Sequence, residues 1–387
     1  MVVAKYRRMY LLSSQVYLHE ISTCVPPKSY TQDFTLEFLL NLQGTTPRKR
    51  EFLQKIYQHS AIHKRHTVVE DYDKDPADYK FYPKNASLKP EPSTAQRNEE
   101  YIKAANVLSV QAVRGLLEKL PDVAPDAVTH LITVSCTGFS APGFDIHLMK
   151  ELGFSSALHR LHIGFMGCYA AIPALRMARD ICLANPDARV VIVNLELCSL
   201  HFQQKFDPDT VVANAIFADG VSAAFISAKR TDSHGPVLAI ENTLSHFIPN
   251  SEDDMAWKIG EHGFDMKLSL YVPRFIEQNI AKITDALFEK VSKARSDIGI
   301  WAIHPGGRAI LEKVEEALSL NKDDLQVSYD VLREYGNMSS ATIMFVLERI
   351  LADDREGGVF AAAFGPGLTV ECCFFEKIKT MDGNAQT

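Results

Sequence analysis

The fold is constrained most by short, uniformly apolar runs that alternate with stretches of helical spacing. Runs such as THLITVS (129–135) and RVVIVNLELC (189–198) lack the regular polar alternation of a strand with one solvated face. Strands of this kind belong to sheets that helices cover on both sides. The pattern therefore predicts a layered α/β fold.

The same kind of series occurs twice along the chain. In the first half, the predicted helices are 97–119, 143–152 and 168–184, and the predicted strands are 129–135, 161–167, 189–198 and 221–227. In the second half, the predicted helices are 273–293, 308–319 and 339–352, and the predicted strands are 297–303, 357–364 and 368–375. We therefore predict two strand–turn–helix halves, residues 1–234 and 235–387, stacked as α/β/α/β/α layers.

A long surface excursion interrupts the first half. Residues 69–93 contain four prolines, which exclude a continuous helix or a central strand. The tyrosines and Phe81 of this segment predict that it packs against the rest of the fold.

Composition excludes several classes of function. The 387 residues carry 41 Lys and Arg against 48 Asp and Glu, a net charge of −7, which argues against a nucleic-acid surface. No apolar run reaches the ~18 residues of a membrane span. The basic residues Lys5, Arg7 and Arg8 precede an apolar stretch broken by Ser13, so no signal peptide is expected. A cytoplasmic location is expected.

Cysteine and glycine patterns exclude further sites. The seven cysteines are odd in number, with no CxxC pair and no paired His/Cys spacing, so neither disulfides nor a structural metal is expected. Cys372 and Cys373 are adjacent on a strand and should point to opposite faces. No Gly-rich loop of the ATP- or NAD-binding type occurs. Asp219-Gly220 is interpreted as a hairpin turn.

A first candidate for chemistry is Cys168, where an apolar segment ending in Gly167 turns into a helix. The N-terminus of a helix carries unpaired N–H groups and a partial positive charge, which lowers the pKa of a thiol and favours the thiolate. This placement suits a nucleophile. The alternative is a small buried apolar residue, which most free cysteines are.

Two other motifs place polar side chains at the ends of elements. His304 follows a buried strand and precedes Pro-Gly-Gly, a turn that lets a ligand approach the backbone; the alternative is a structural histidine. Asn337 precedes a helix, and its amide is a candidate donor into a pocket. The alternative is an N-cap turn in which Ser339 or Ser340 caps the helix.

Taken together, GFMGC with Tyr169, IHPGG, YGNMSS and FGPGLTVE resemble motifs of the type III polyketide synthases, the chalcone synthase family of the thiolase superfamily. The match runs in order from about residue 16 to 377. The resemblance implies a five-layered thiolase fold and a homodimer in which the segment 136–143 lies near the partner's cavity. It also implies a catalytic set of Cys168, His304 and Asn337.

The resemblance also implies a mechanism. Cys168, as a thiolate paired with the His304 imidazolium, takes an acyl chain from an acyl-CoA. Malonyl-CoA then loses CO2 while His304 and Asn337 stabilise the enolate oxygen. The enolate attacks the Cys168 thioester and lengthens the chain. Because CoA is part of the substrate, no metal or organic cofactor is expected.

Further positions are implied by residue-by-residue match. Phe217 matches an aromatic gatekeeper between the CoA tunnel and the pocket, whose alternative is a core Phe. The other substrate-binding positions are Thr137, Cys198, His201, Trp257, Met266 and Ser339. The CoA-binding positions are Lys55, Gly306, Arg308 and Ala309, with Lys64 and Arg65 as further basic candidates.

The cavity positions depart from the plant pattern. Trp257 and Met266 stand where Gly and Phe are typical, and ELCSLH and SCTGF resemble microbial members that make alkylpyrones or alkylresorcinols. We therefore predict a fatty or other non-plant starter, few extensions, and a separate tunnel for the acyl tail.

Three alternatives remain at this stage. A ketoacyl-ACP synthase III uses the same three residue types but prefers an ACP carrier. A papain-like cysteine hydrolase has Cys, His and Asn in the same order, although the two-half pattern disfavours it. A non-catalytic acyl-binding protein is disfavoured because all three residues are intact.

Overall fold

The computed structural model describes residues 15–42, 45–230 and 235–379. Within these ranges lie thirteen strands and ten α-helices. The strands are β1 (Tyr17–Cys24), β2 (Ser29–Thr31), β3 (Lys64–His66), β4 (His130–Ser135), β5 (His159–Gly164), β6 (Arg189–Leu197), β7 (Asp219–Ser227), β8 (Val237–Phe247), β9 (Met255–Gly260), β10 (Gly263–Leu268), β11 (Ile298–Ile303), β12 (Gly357–Gly365) and β13 (Thr369–Ile378). The helices are α1 (Gln32–Asn41), α2 (Pro47–Gln58), α3 (Thr94–Lys119), α4 (Phe144–Leu152), α5 (Ala171–Ala184), α6 (Pro208–Ile216), α7 (Val272–Val291), α8 (Arg308–Leu318), α9 (Gln326–Tyr335) and α10 (Thr342–Ala352).

The sheet has an internal repeat. Nine strands pair in the order β11-β12-β13-β8-β1-β7-β6-β4-β5. In the first half, β4 and β6 are parallel while β6–β7 and β7–β1 are antiparallel. In the second half, β11, β12, β13 and β8 pair with the same directions. The two sets of strands have the same topology.

Three apolar clusters define the layers. One lies between α3, α4 and the outer face of the first set of strands. The second surrounds α5 and α10 between the two sets, and the third lies under α7 and α8 on the far side of the second set. The layers therefore run helix, sheet, helix, sheet, helix, and the predicted fold class is confirmed. The two sheets are joined into one because β1 and β8 pair at Tyr17–Ala239 and Leu18–Leu238.

Most predicted elements lie within a few residues of the observed ones. Cys373 belongs to the central cluster and Cys372 to the outer one, which confirms that they point to opposite faces. The interpretation of Asp219-Gly220 as a hairpin turn is wrong. Asp219 begins β7, and its buried carboxylate accepts the backbone N–H groups of Val68 and Ser199, each at 2.8 Å.

The excursion at 69–93 packs as predicted. The buried Asp71 carboxylate accepts backbone N–H groups from Lys80, Phe81 and Tyr82 at 2.8–2.9 Å, which folds the segment on itself. Its aromatic side chains then pack in the cluster around α3.

Two predictions fall on residues outside the described ranges. Lys5, Arg7 and Arg8, on which the signal-peptide prediction depends, lie outside them. Residue 234, where the first half is predicted to end, also lies outside them, so the division into halves stays a prediction. In the described ranges, no helix is long and apolar enough to cross a membrane. All seven cysteines are described and free.

Candidate active site

Cys168 lies in a tight turn between β5 and α5. Phe165 and Gly167 have left-handed backbone angles, with φ of +56° and +79°. A Cβ atom on Gly167 would lie 2.4 Å from Cδ of Pro366, so only glycine lets this turn approach the β12–β13 turn so closely. The prediction that the helix starts at Cys168 is wrong, because α5 starts at Ala171.

His304 follows β11 directly and is 1% exposed. Its backbone N–H donates to the Ala362 carbonyl oxygen at 2.8 Å, which continues the pairing with β12. Both ring nitrogens are buried and, among the described residues, have no hydrogen-bond partner. Burial lowers the pKa of His304 to about 3, so the imidazole is neutral. A neutral imidazole keeps one N–H donor and one acceptor.

Asn337 is held by its backbone and its side chain. Its N–H donates to the Ile216 carbonyl at 2.9 Å, and its own carbonyl accepts from the Ala218 N–H at 2.9 Å. The Asn337 side-chain oxygen accepts the Ser339 N–H at 2.8 Å, and its amide nitrogen donates to the Gly306 carbonyl at 3.1 Å. The second amide hydrogen of Asn337 has no use in these contacts.

The interpretation of Ser339 and Ser340 as helix caps is wrong. The residue before α10 makes no side-chain cap, and Ser340 donates instead to the Glu196 carboxylate at 2.5 Å. The Ser339 hydroxyl lies 3.3 Å from the Cys136 sulfur. Both serines are buried, and Ser339 lines the cavity that contains Cys168.

One cavity of about 440 Å³ brings the predicted residues together. Its lining is mostly apolar and includes Cys168, His304 and Asn337, with the Cys168 sulfur 4.0 Å from the Asn337 side-chain oxygen. The lining also contains the predicted positions Phe217, Thr137, Cys198, Trp257, Met266, Ser339, Lys55, Gly306, Arg308 and Ala309. A cavity of this volume is in the range of small-molecule binding sites.

Basic side chains lie on one part of the cavity lining. Lys55 and Arg308 are both exposed, and Arg308 pairs with Glu312 at 2.6 Å. Arg65 does not join them. Its guanidinium donates to Gln32 at 3.1 Å and to the Asn214 and Phe217 carbonyls, and Arg65 does not line this cavity, so a contact with CoA stays a prediction.

A second cavity of about 70 Å³ shares part of its lining with the first. Cys198, Phe217, Trp257 and Met266 line both cavities and form the wall between them. The Trp257 indole N–H donates to the Cys136 carbonyl at 2.6 Å, which fixes the ring in this wall.

His201 lines the second cavity and not the one that contains Cys168. One ring nitrogen donates to the Thr137 carbonyl at 2.7 Å, and the other accepts the Phe264 N–H at 3.0 Å. Burial lowers the pKa of His201 to about 3. With both nitrogens occupied, this ring supports the wall.

The predicted depression of the Cys168 pKa is not found. Burial raises the pKa of Cys168 to about 12, and the nearby Glu196 carboxylate acts in the same direction, while hydrogen bonds from Ser339 and Asn337 oppose it. The start of α5 lies three residues away and does not offset this desolvation. Burial therefore disfavours the charged form of both Cys168 and His304.

Glu196 was not predicted from the sequence. It is fully buried at the end of β6, and its carboxylate accepts the Cys136 N–H at 3.0 Å and the Thr137 hydroxyl at 2.9 Å. Burial raises the pKa of Glu196 to about 7. A glutamate inside the apolar run RVVIVNLELC was the signal, because a buried carboxylate needs a dedicated set of donors.

Two family models match the chain. The model of chalcone and stilbene synthases, N-terminal domain, matches residues 4–230, and that of the C-terminal domain matches residues 239–379. The chain belongs to the chalcone and stilbene synthase family. It is a type III polyketide synthase, an enzyme that condenses malonyl-CoA iteratively onto an acyl starter and cyclises the product.

Relatives and solved structures agree with this family. This chain is 33% identical over 341 residues to the alpha-pyrone synthesis polyketide synthase-like protein Pks18 of Mycobacterium tuberculosis. The match covers 86% of this chain and 84% of Pks18. It superposes on PKS-I of the brown alga Ectocarpus siliculosus with a TM-score of 0.88 at 30% identity, covering 95% and 99% of the two chains. The type III domain of Steely1, a Dictyostelium hybrid, gives 0.86 at 26% identity, with coverages of 94% and 99%.

Proposed function

We propose that this type III polyketide synthase loads a fatty or other non-plant acyl group onto Cys168, extends it a few times, and closes a pyrone or resorcinol ring. The observation that carries the proposal is one mostly apolar cavity that Cys168, His304 and Asn337 share with the bulky Trp257. The name of Pks18, which refers to alpha-pyrone synthesis, supports the product class.

The first step is acyl transfer. The Cys168 sulfur attacks the thioester carbon of the starter, the bond to the CoA sulfur breaks, and the thiol proton leaves through the neutral His304. Burial disfavours a thiolate or an imidazolium that has no opposite charge beside it. The two charges therefore form together as the proton moves from Cys168 to His304. CoA leaves as its thiol.

The second step uses His304 and Asn337 as donors. When malonyl-CoA loses CO2, the electron pair of the broken C–C bond passes to the thioester oxygen, which becomes an enolate. The imidazole N–H and the unused amide N–H of Asn337 stabilise that oxygen. The enolate carbon then attacks the Cys168 thioester and releases the thiolate.

Starter and product are tested together with purified enzyme, malonyl-CoA and a series of acyl-CoA starters from C2 to C18 plus an aromatic plant-type starter. We expect mass spectrometry to detect alkylpyrones or alkylresorcinols from the aliphatic starters, and no product from Cys168→Ala. Products from the aromatic starter alone would contradict the proposal. Turnover only with acyl-ACP would favour a ketoacyl-ACP synthase III activity, and malonyl-independent hydrolysis would favour a hydrolase.

We also propose a homodimer. The edge strand β5 is largely exposed, and its Leu161 is 42% exposed. The nearby rings of Phe139 and Phe165 lie 6.4 Å apart and are 48% and 38% exposed. An unpaired strand edge with apolar neighbours suits a second copy of the chain. Light scattering should give twice the chain mass, and Leu161→Glu should lower it. Val107→Glu, at an exposed position of α3, should not. A wild-type monomer would overturn this proposal.

Two further expectations accompany the reaction. The steps above use only groups of the protein and the two thioesters, so dialysis against a chelator should leave turnover unchanged. A cytoplasmic location, where acyl-CoA and malonyl-CoA are available, stays a prediction.

A further inference from the structure

The C-terminal end of α6 lies directly beside the candidate active site. The last carbonyl groups of a helix have no partner within the helix and must be satisfied by other groups. Here the helix ends at Ile216, and the next residue, Phe217, lines the cavity. The Phe217 N–H closes the last turn by donating to the Ala213 carbonyl at 3.1 Å.

The carbonyl groups beyond Ala213 are satisfied from outside the helix. Arg65 donates from one guanidinium nitrogen to the Asn214 carbonyl at 2.8 Å and to the Phe217 carbonyl at 2.7 Å. Gln32 donates to the Ala215 carbonyl at 2.7 Å and accepts from Arg65 at 3.1 Å. A cation at this end of a helix also interacts favourably with its dipole.

The remaining carbonyl of this helix end belongs to Ile216, and its donor is the backbone N–H of Asn337 at 2.9 Å. The segment before Asn337 also contacts Arg65. A Cβ atom on Gly336, whose φ is +73°, would lie 2.9 Å from Cγ of Arg65 and 2.9 Å from the Ile216 carbonyl oxygen. The backbone of Gly336 is therefore seated against the arginine side chain.

We propose that Arg65 is a positioning residue for the condensation. Through the end of α6, it holds Phe217 and Asn337 in one rigid unit, and so sets where the Asn337 amide meets the enolate oxygen. Arg65 touches neither Cys168 nor His304 in any contact of the described residues, and it lines the second cavity and not the one that contains Cys168. This inference rests on the proposed function.

Loss of Arg65 should affect acyl transfer and decarboxylation differently, whereas a general loss of structure would impair both steps. Acyl transfer to Cys168 needs the thiol and the imidazole, whereas decarboxylation of malonyl-CoA also needs the amide of Asn337. A displacement of about 1 Å in a catalytic group costs on the order of 100-fold in rate. Removal of Arg65 should therefore slow decarboxylation far more than loading.

The test compares Arg65→Met, Arg65→Lys and the control Tyr57→Phe. The Tyr57 hydroxyl donates to the same helix end, to the Asn214 carbonyl at 3.2 Å, but has no contact with Phe217 or Asn337 in the described residues. Intact-protein mass spectrometry measures acylation of Cys168 by the starter, and CO2 release measures decarboxylation. A thermal melt monitors the fold of each variant.

We expect Arg65→Met to lower the kcat of decarboxylation roughly 10- to 100-fold while the rate of Cys168 acylation changes less than about threefold. Arg65→Lys should be intermediate, because an ammonium group supplies the charge without the planar fork, and Tyr57→Phe should resemble the wild type. If Arg65→Met does not fold, the ratio of the two rates in Arg65→Lys decides.

Parallel loss of acylation and decarboxylation, or unchanged decarboxylation in both Arg65 variants, would overturn the inference. A wild-type enzyme that neither acylates Cys168 nor releases CO2 from malonyl-CoA would instead overturn the proposed function. The two failures are distinguishable because the wild type is measured first and by the same two readouts.

Discussion

At the scale of single residues, the position of Cys168 depends on one glycine. Gly167 combines a φ of +79° with a contact that leaves no room for a Cβ atom beside Pro366. Gly153 has a similar φ of +72°, but no atom lies within 4 Å of the place where its Cβ would be. Comparison of substitutions at the two glycines therefore separates the effect of backbone strain from the effect of steric overlap.

We expect Gly167→Ala to lower the free energy of unfolding by about 2–4 kcal/mol and to abolish turnover, because strain and overlap add. Gly153→Ala should lose only about 1 kcal/mol and keep its activity. Chemical denaturation and product assays measure both. Equal losses in the two variants would show that the Pro366 contact is unimportant.

The charge state of Cys168 is a second property of a single residue. Because burial raises the pKa of this thiol, the reactive thiolate is scarce at neutral pH. The rate of Cys168 alkylation by iodoacetamide in the absence of substrate should rise about tenfold per pH unit from pH 7 to 9.5, without a plateau. Mass spectrometry of the Cys168 peptide measures the rate. A plateau of the alkylation rate near pH 7 would show that Cys168 is already ionised there, as in the thiolate–imidazolium pair that the sequence predicts.

The sequence predicted which residues meet in the site, but it did not predict their pKa values. Cys168, His304 and Asn337 each adjoin a recognisable turn at the end of an element, and turns of that kind are encoded locally. The pKa of Cys168 depends on burial by segments far apart in sequence. The donors that surround Glu196 come from Cys136, Thr137 and Ser340, which no local pattern connects.

At the scale of elements, the β9–β10 hairpin determines the depth of the catalytic cavity. It was not predicted, because MAWKIG and GFDMKL contain charged residues and expose part of each strand. The hairpin carries Trp257 and Met266, which line both cavities. Strands β4, β6, β7, β12 and β13 of the main sheet were predictable because almost all of their residues are buried, whereas β8, which is only partly buried, was not predicted.

Trp257→Gly should join the two cavities and shift products toward longer polyketides or longer starters. The variant should also lose about 3–5 kcal/mol of stability, since it leaves a void and an unpaired Cys136 carbonyl. Product profiles by mass spectrometry provide the measurement. Ile259→Gly is the control, because this residue lies on the same strand and is 58% exposed. An unchanged product profile in Trp257→Gly would contradict the role of Trp257 as a wall between the two cavities.

At the scale of the whole molecule, burial of Glu196 links the stability of the fold to pH. Its pKa of about 7 in the folded protein exceeds the ordinary value of 4.5, so the folded state binds this proton more tightly than the unfolded state. The resulting stabilisation is complete below pH 4.5 and is lost as pH rises through 7. Between pH 5 and pH 8 this amounts to roughly 2 kcal/mol.

Glu196→Gln removes this titration. The free energy of unfolding of the wild type, relative to the variant, should therefore fall by roughly 2 kcal/mol from pH 5 to pH 8. Urea denaturation across this range measures the difference. Glu261→Gln, at an exposed position, is the control and should show no such trend. A pH-independent difference for Glu196→Gln would mean that the carboxylate stays ionised throughout.

The repeated topology of the two sets of strands has a consequence for how such an enzyme diversifies. Cys168 precedes α5 and Asn337 precedes α10, the two helices at equivalent places in the repeat. The β9–β10 hairpin lies outside the nine-stranded sheet, as does the short β2–β3 pair between β1 and β4. The catalytic groups and the cavity-lining Trp257 and Met266 therefore lie on separate pieces of the polypeptide. We expect that exchange of this hairpin, Met255–Leu268, would change the product and leave the catalytic groups in place.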